Sequence, residues 1–251
     1  MLETKHVTIK FGGLVAVNDV SIQVQPQKIT ALIGPNGAGK TTFFNCISGV
    51  YVPNSGEVIL DDVHLEGKRG FQINEAGIAR TYQVINLFWN MTVLDNVLVG
   101  MNSRLKTGFW DSILHTKKKR KEEACILDKA HELLRFVELD DLANAKAGSL
   151  SYGKQRLLEI VRGLASDPKV ILLDEPAAGM NTKEKAELDV LLQKIKQMGT
   201  TILVVEHDMK LIMNVSDYIY VLYHGALLAQ GTPAEIQSNP EVIAAYLGGD
   251  E

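Results

Sequence analysis

The chain has 251 residues, two cysteines and a formal net charge of −4 at neutral pH. This length is compatible with one large domain or two small ones, and an apolar fraction of 46% is enough for a substantial hydrophobic core. The slightly negative charge disfavours a general nucleic-acid-binding protein, so we expect no nucleic-acid partner.

The sequence predicts neither a signal peptide nor a membrane-spanning helix. The first six residues lack an apolar segment of the signal-peptide type, and no stretch approaches the ~18 consecutive apolar residues that cross a bilayer. Cys46 and Cys125 have no other ligand at metal-binding spacing, which excludes a disulfide framework or a typical zinc site. A reducing cytosol is the simplest location, and work at a membrane would require another chain to span it.

The N-terminal segments alternate apolar and polar residues, which is typical of β-strands. They include a meander that leads into an apolar strand over Ile29–Ile33. A turn at 10–13 carries Phe11. The residues alone leave two interpretations of Phe11 open: an exposed platform on which a base stacks, or a hydrophobic plug over the turn.

A glycine-rich stretch follows this strand and precedes a helix that begins near Lys40. Its residues are Gly34, Pro35, Asn36, Gly37, Ala38, Gly39, Lys40, Thr41 and Thr42. They match the phosphate-binding pattern G-x-x-x-x-G-K-[ST], in which glycines let backbone N–H groups approach an anion at a helix start. Lys40 would supply charge to the terminal phosphates, and the Thr41 hydroxyl is placed to bind Mg²⁺. We therefore predict binding of a nucleoside triphosphate.

The middle of the chain predicts further short elements and then a mostly helical insertion. A strand over 57–60 is followed by a short strand over 77–83 that ends at Gln83, and Thr92 is a plausible N-cap for a helix over 93–99. The insertion extends from about 90 to 165. Its basic run, Lys117–Lys121, is either a solvated surface or a contact for lipid head groups or an acidic partner.

Polar groups follow two buried, parallel-type strands in the last third of the chain. Asp174 and Glu175 follow the strand over 170–173, and His207 comes two residues after the strand over 201–205. Because the carboxyl ends of parallel strands meet at one edge, we expect these groups beside the phosphate loop. Asp174 would hold Mg²⁺ through water, and Glu175 could reach a water in line with the terminal phosphorus.

His207 and Gln83 are expected to bracket the same water and the γ-phosphate, and Gln83 is also a candidate ligand of Mg²⁺. Each residue taken alone has an ordinary alternative. Glu175 could be a surface charge at a strand end, and His207 could be a hydrogen-bonded strand-end histidine. Their joint occurrence indicates phosphoryl transfer, which depends on positioned charge and an oriented water.

Several of these motifs together resemble the nucleotide-binding subunits of ABC transporters. They are the phosphate loop, Gln83, the sequence LSYG at 150–153, the sequence ILLDEP at 171–176, and His207. The resemblance covers nearly the whole chain and implies an α/β fold: a P-loop NTPase (RecA-like) core with an N-terminal antiparallel β subdomain and a helical signature subdomain. In a single ABC ATPase domain, the core would take about 1–89 and 166–251, and the helical subdomain about 90–165.

The resemblance also implies a mechanism. Two subunits, identical or one of them a sister ATPase, would pair head to tail around two ATP molecules with Mg²⁺. Ser151 and the N–H of Gly153 would contact the γ-phosphate of ATP bound to the partner. Glu175 would be the general base of hydrolysis, with His207 and Gln83 as further catalytic residues, and Phe11 matches the position of the aromatic residue that stacks on adenine.

More narrowly, residues 150–155, residues 175–181 and the long insertion look like the ATPases of branched-chain amino acid importers, the LivG-like type. This implies a peripheral subunit on the cytoplasmic face of the cell or inner membrane, with two transmembrane permease subunits and, indirectly, a solute-binding protein. The alternatives are an ABC ATPase of another transport system, such as lipopolysaccharide export, or a soluble non-transport ABC ATPase. The chain departs from the general pattern at Tyr152, Lys154, Ala178 and Asn181, where glycine, glutamine, serine and aspartate are common.

Overall fold

The computed structural model describes residues 1–101 and 117–247, with side chains described outside 117–123 and Leu247. The chain divides into two compact units, one made of residues 1–83 and 169–251 and the other of residues 84–168. Within the described ranges, no helix has both the length and the apolar character that crossing a membrane requires.

The first unit contains two β-sheets. The strands are β1 (Leu2–Phe11), β2 (Leu14–Val24), β3 (Ile29–Ile33), β4 (Ser55–Leu60), β5 (Val63–His64), β6 (Ile78–Arg80), β7 (Val170–Asp174), β8 (Thr201–Val205), β9 (Tyr218–Tyr223) and β10 (Ala226–Gly231). The smaller sheet is antiparallel with the order β2-β1-β4-β5. The larger sheet has the order β10-β9-β3-β8-β7-β6, and only its edge strand β10 is antiparallel.

The helices lie in both units. They are α1 (Lys40–Ile47), α2 (Gly70–Ala76), α3 (Val93–Gly100), α4 (Lys117–Phe136), α5 (Tyr152–Leu164), α6 (Thr182–Gln197), α7 (Met209–Val215), α8 (Pro233–Ser238) and α9 (Pro240–Leu247). The predicted basic run forms the start of α4, and its side chains lie outside the described part.

The three central strands of the large sheet, β3, β7 and β8, are buried at every position. Continuous apolar runs are typical of parallel strands covered on both faces, so the sequence predicts these strands correctly. Their parallel register pairs Leu32 with Val205 and Val205 with Asp174, which puts the three carboxyl ends at one edge. That edge is where β3 continues into the glycine-rich loop.

The strand predicted over 77–83 is shorter than expected. β6 ends at Arg80, although the Thr81 N–H still donates to the Leu172 carbonyl oxygen at 2.9 Å. The chain then turns away from the sheet, with Tyr82 and Gln83 exposed. Helices α2 and α7 were not predicted, because seven residues are too few to show a clear helical period.

The second unit is helical in its described part. Helix α3 packs closely on α5, since a Cβ on Gly100 would lie 2.2 Å from the Arg162 carbonyl oxygen. Inside α5, the fully buried Arg156 pairs with Glu159 at 2.8 Å. Glu159 also accepts the Asn86 N–H at 3.1 Å, so this buried pair fixes the start of the unit against its last long helix.

Thr92 caps α3 as the sequence predicts. Its hydroxyl oxygen accepts the Asp95 N–H at 3.0 Å, and the Asp95 carboxylate accepts the Thr92 N–H at 3.2 Å. We expect Thr92→Ala to lower the free energy of unfolding by about 1 kcal/mol, because one N–H of the first turn loses its acceptor. Thr92→Ser retains that acceptor and should stay close to the parent chain. Urea unfolding measures both, and equal midpoints for all three chains would contradict the capping role.

Candidate functional site

The glycine-rich loop connects β3 to α1, and close backbone contacts require glycine at two of its positions. Gly34 has φ of 152°, and a Cβ there would lie 2.2 Å from the Leu222 carbonyl oxygen. Gly39 has φ of 97°, and its Cβ would lie 2.4 Å from the Ala16 carbonyl oxygen. A side chain at either position would displace backbone, so the path of the loop depends on these glycines.

A hairpin turn supports this loop from the side. His224 and Gly225 connect β9 to β10 with φ of 47° and 80°, as a two-residue turn with two positive φ angles requires. The Gly225 N–H donates to the Ala38 carbonyl oxygen at 3.1 Å, and the Gly225 carbonyl oxygen accepts the Asn18 N–H at 2.7 Å. This support was not predicted from the sequence.

Lys40 begins α1, and its ammonium group lies inside the loop. Nζ donates to the carbonyl oxygens of Gly34 at 2.6 Å and Pro35 at 2.9 Å. Burial lowers the pKa of Lys40, and the nearby carboxylates of Glu175 and Asp174 oppose that change. The side chain is 6% exposed, so a positive charge is held where the first-turn N–H groups of α1 also point.

The loop forms one wall of an open cleft of about 520 Å³. The residues that line it are Phe11, Leu14, Val15, Ala16, Asn36, Gly37, Ala38, Gly39, Lys40, Thr41, Thr42, Gln83, Glu175, His207, His224 and Gly225. The structure therefore brings loop residues 36–42 together with Phe11, Gln83, Glu175 and His207, whereas Gly34 and Pro35 do not line the cleft. Five further lining residues were not predicted from the sequence: Leu14, Val15, Ala16, His224 and Gly225.

Glu175, His207 and Gln83 form a hydrogen-bonded group in this cleft. One carboxylate oxygen of Glu175 lies 2.7 Å from Nε2 of His207, and the other accepts from the Gln83 amide at 2.9 Å. The Glu175 backbone is left-handed, with φ of 47°, and such strain at a non-glycine residue is typical of functional sites. Its N–H donates to the Val205 carbonyl oxygen at 2.9 Å, which ties the exit of β7 to the last residue of β8.

Asp174 is the residue before Glu175, and it pairs with Arg80, which was not among the predicted site residues. Nη2 of Arg80 donates to Oδ2 of Asp174 at 2.8 Å, and the two side chains are 7% and 4% exposed. Arg80 also donates to Asn45 of α1 at 2.8 Å and lies over the rings of Phe44 and Tyr82. The position of Arg80 at the end of β6, beside the end of β7, was the available signal.

Phe11 ends β1 at the cleft and is 46% exposed. The Tyr51 ring meets it edge-on, with 5.2 Å between ring centroids and 72° between planes. This contact fixes the ring orientation while part of the ring stays accessible. A plug buried over the turn would not be so exposed, so the geometry favours a platform that lines the cleft.

The remaining predicted residues, Ser151 and Gly153, belong to the helical unit and are described within it. Ser151 has the N-cap position of α5 with φ of −63° and ψ of 157°, but its side chain makes no capping hydrogen bond. Ser151 is exposed and Gly153 is buried in the first turn of α5. This helix start presents backbone N–H groups and a hydroxyl, which are donors suited to an anion.

The oxygen donors near the loop are suited to a hard divalent cation such as Mg²⁺. Thr41 brings a hydroxyl into the cleft, and Asp174 contributes a buried carboxylate whose described hydrogen bond, from Arg80, occupies Oδ2 only. Mg²⁺ prefers such oxygen ligands and usually keeps several waters beside substrate phosphates. Among the described residues, no group of three His, Cys, Asp or Glu side chains is placed to hold a metal by itself.

The chain is similar in sequence to proteins of known families. The sequence model of a family described as "ABC transporter" matches residues 17–178, and that of a family described as "Branched-chain amino acid ATP-binding cassette transporter" matches residues 226–251. The chain is 49% identical to the "High-affinity branched-chain amino acid transport ATP-binding protein LivG" of Escherichia coli K12, over 99% of this chain and 98% of that protein.

Two solved structures extend the comparison. One is the ADP conformation of an ATP-binding cassette of an ABC transporter, with a TM-score of 0.86 and 33% identity, covering 99% of this chain and 98% of that one. The other is the dimeric structure of a post-hydrolysis state of an ATP-binding cassette bound to ADP and Pi. Its TM-score is 0.76 at 26% identity, and it covers 93% of this chain and 99% of that one.

The buried pair of Arg80 and Asp174 makes a testable contribution to stability. Arg80→Met leaves an uncompensated buried carboxylate, so we expect the free energy of unfolding to fall by about 3–5 kcal/mol. Removing both charges in Arg80→Met with Asp174→Asn should restore a large part of that loss. Urea unfolding of the four chains of this double-mutant cycle measures the coupling, and strictly additive effects would contradict a direct interaction.

Proposed function

Because the chain belongs to the ABC transporter family, we propose that it is the ATP-hydrolysing subunit of an importer for branched-chain amino acids. The family match confirms the resemblance seen in the sequence, the α/β P-loop fold class and the ATPase activity. The observation that supports the catalytic proposal most directly is one cleft that holds both the Lys40 loop and the pair of Glu175 and His207. Import of branched-chain amino acids is proposed from the name of the relative and from the second family, which matches the C-terminal residues.

In this proposal the glycine-rich loop binds the phosphates of ATP. The N–H groups of residues 37–42 donate to phosphate oxygens. The Lys40 ammonium gives up its hydrogen bonds to the Gly34 and Pro35 carbonyl oxygens and donates to the terminal phosphates instead. The exposed face of Phe11 stacks on the adenine ring, held in orientation by the edge contact from Tyr51.

Glu175 acts as general base in the proposed hydrolysis. Its carboxylate takes a proton from a water molecule as the water oxygen bonds to the γ-phosphorus, while the bond to the β–γ bridging oxygen breaks and ADP leaves. His207 lies 2.7 Å from the same carboxylate and orients it, and Gln83 holds its other oxygen. Both side chains can also donate to the water or the γ-phosphate when ATP is bound.

Thr41 and Asp174 would hold Mg²⁺, Thr41 through its hydroxyl and Asp174 through water. When bound, the ion supplies positive charge that offsets the charge developing on the phosphate oxygens. Gln83 is a further candidate ligand through its amide oxygen, because the amide nitrogen is the atom bonded to Glu175. Arg80 keeps Asp174 oriented by holding one of its two oxygens.

We further propose that two such subunits pair head to tail, as homodimer or with a sister ATPase. Ser151 and the N–H of Gly153, at the start of α5, would then contact the γ-phosphate bound by the partner. A relative in the solved structures is dimeric with ADP and Pi, which supports the pairing. Two transmembrane permease subunits would take up the resulting motion, so this subunit would lie on the cytoplasmic face of the membrane, with a solute-binding protein acting indirectly.

The role of Glu175 is tested by Glu175→Gln. The amide cannot accept the proton of the attacking water, so we expect steady-state ATP hydrolysis to fall at least 100-fold, the scale of general-base catalysis. ATP binding should persist, and the variant should accumulate as a dimer when ATP is present, which size-exclusion chromatography detects. Glu187→Gln on the exposed face of α6 is the matched control. Normal turnover in Glu175→Gln would remove Glu175 from its proposed role.

The role of Lys40 is tested by Lys40→Ala. Losing a buried cation that binds phosphate should weaken ATP binding at least tenfold, because a charge-assisted hydrogen bond contributes about 1.5–3 kcal/mol. Isothermal titration calorimetry measures the Kd. Lys183→Ala, which removes an ammonium that is 88% exposed on α6, should bind ATP as the parent does. An unchanged Kd in Lys40→Ala would contradict phosphate binding by the loop.

A further inference from the structure

A buried carboxylate beside the catalytic group has no role in the mechanism so far. Glu206 follows β8 and is 3% exposed, and both of its oxygens accept backbone N–H groups. Oε1 accepts from Ala177 at 2.6 Å, and Oε2 accepts from His207 at 2.9 Å and Asp208 at 3.3 Å. Its two oxygens therefore bond to two different segments, the one that follows Glu175 and the one that carries His207.

Three contacts connect the exits of β7 and β8. The Glu175 N–H donates to the Val205 carbonyl oxygen, the Ala177 N–H donates to Glu206, and the His207 ring meets the Glu175 carboxylate. The first two contacts hold the backbone next to Glu175 against the backbone and side chain of the residues that precede His207. The third is the contact between the two proposed catalytic groups, so its geometry depends on the other two.

Burial of Glu206 is expensive unless its charge is compensated. Burial raises the pKa of Glu206, the three backbone N–H groups oppose that change, and the nearby charge of Glu175 adds to it. A neutral apolar residue of similar size would avoid this cost, but it could not accept N–H groups from both segments. The carboxylate thus serves a geometry that an apolar side chain cannot provide.

We propose that Glu206 is a positioning residue for ATP hydrolysis. It holds the segment 175–177 and the segment 206–208 at a fixed separation, so that the His207 ring meets the Glu175 carboxylate. This inference depends on the roles proposed above for Glu175 and His207. Because Ala177 continues into the loop that leads to α6, the same carboxylate also ties that loop to His207.

The test uses the full chain with Glu206→Gln, which keeps the size of the side chain and one acceptor oxygen. The amide nitrogen cannot accept an N–H, so one of the two segments loses its anchor. We expect kcat for ATP to fall roughly 10- to 100-fold, the scale of a small misplacement of catalytic groups, while the KM for ATP and the Kd for ADP change less than about threefold. In hydrogen exchange, protection should fall at Ala177 and His207 and not across the sheet.

Glu235→Gln is the matched control, because Glu235 also accepts a backbone N–H, from Thr232 at 2.7 Å, and is exposed outside the cleft. It should leave kcat within twofold of the parent. The kcat is normalised to the fraction of chains that bind ADP. If this kcat is the same in Glu206→Gln and in the parent, the proposal is overturned. A loss of nucleotide affinity in proportion to kcat, which a purely structural role predicts, would overturn it as well.

Should Glu206→Gln fail to fold, hydrogen exchange of the parent chain still decides. The amide of His207, a residue with an exposed side chain, must then be as slow to exchange as the amides of β8, and rapid exchange would overturn the proposal. The catalytic role of Glu175 and the positioning role of Glu206 can be tested separately. Full turnover in Glu175→Gln removes the proposed mechanism, whereas an inactive Glu175→Gln beside a fully active Glu206→Gln removes only the positioning role.

Discussion

The site depends on the parallel pairing of three buried strands. β3, β8 and β7 lie side by side, and their register places Leu32, Val205 and Asp174 in one row across the sheet. The loop that holds Lys40 and the segments that hold Glu175 and His207 all begin within a few residues of this row. Groups far apart in the chain therefore meet without a special connection between them. The sheet fixes the position of the site, because its three central strands are buried at every position.

Three buried charges at this edge are each compensated by a different kind of partner. Lys40 is compensated by backbone carbonyl oxygens, Asp174 by the arginine at the end of the neighbouring strand, and Glu206 by backbone N–H groups. Each arrangement satisfies the charge and also fixes a position, because a buried charge without partners is strongly unfavourable. The buried charges at this edge therefore link the stability of the fold to the geometry of the proposed catalytic groups.

The sequence alone predicted the central strands, the loop with Lys40 and part of the cleft lining, namely Phe11, Gln83, Glu175 and His207. The strands have a continuous apolar pattern, and the loop has a fixed spacing. It did not predict Arg80, Glu206 or the support from Gly225. Their importance comes from neighbours that are distant in the chain: the end of β7 for Arg80, Ala177 for Glu206, and Ala38 for Gly225. A pattern within one segment cannot reveal which strand lies beside it. The short helices α2 and α7 were missed for a local reason, because seven residues do not establish a period.

The contact of the Lys40 ammonium with the Gly34 and Pro35 carbonyl oxygens has a consequence for product release. If the loop binds phosphates as proposed, these main-chain carbonyl oxygens compete with the phosphates for the Lys40 ammonium. When the product leaves in the proposed cycle, the same two carbonyl oxygens can again accept from Lys40. The net free energy of nucleotide binding is therefore smaller than it would be for an unpaired ammonium, which favours release of the nucleotide. A subunit that must bind and release nucleotide in every cycle benefits more from such a compromise than from the tightest possible grip.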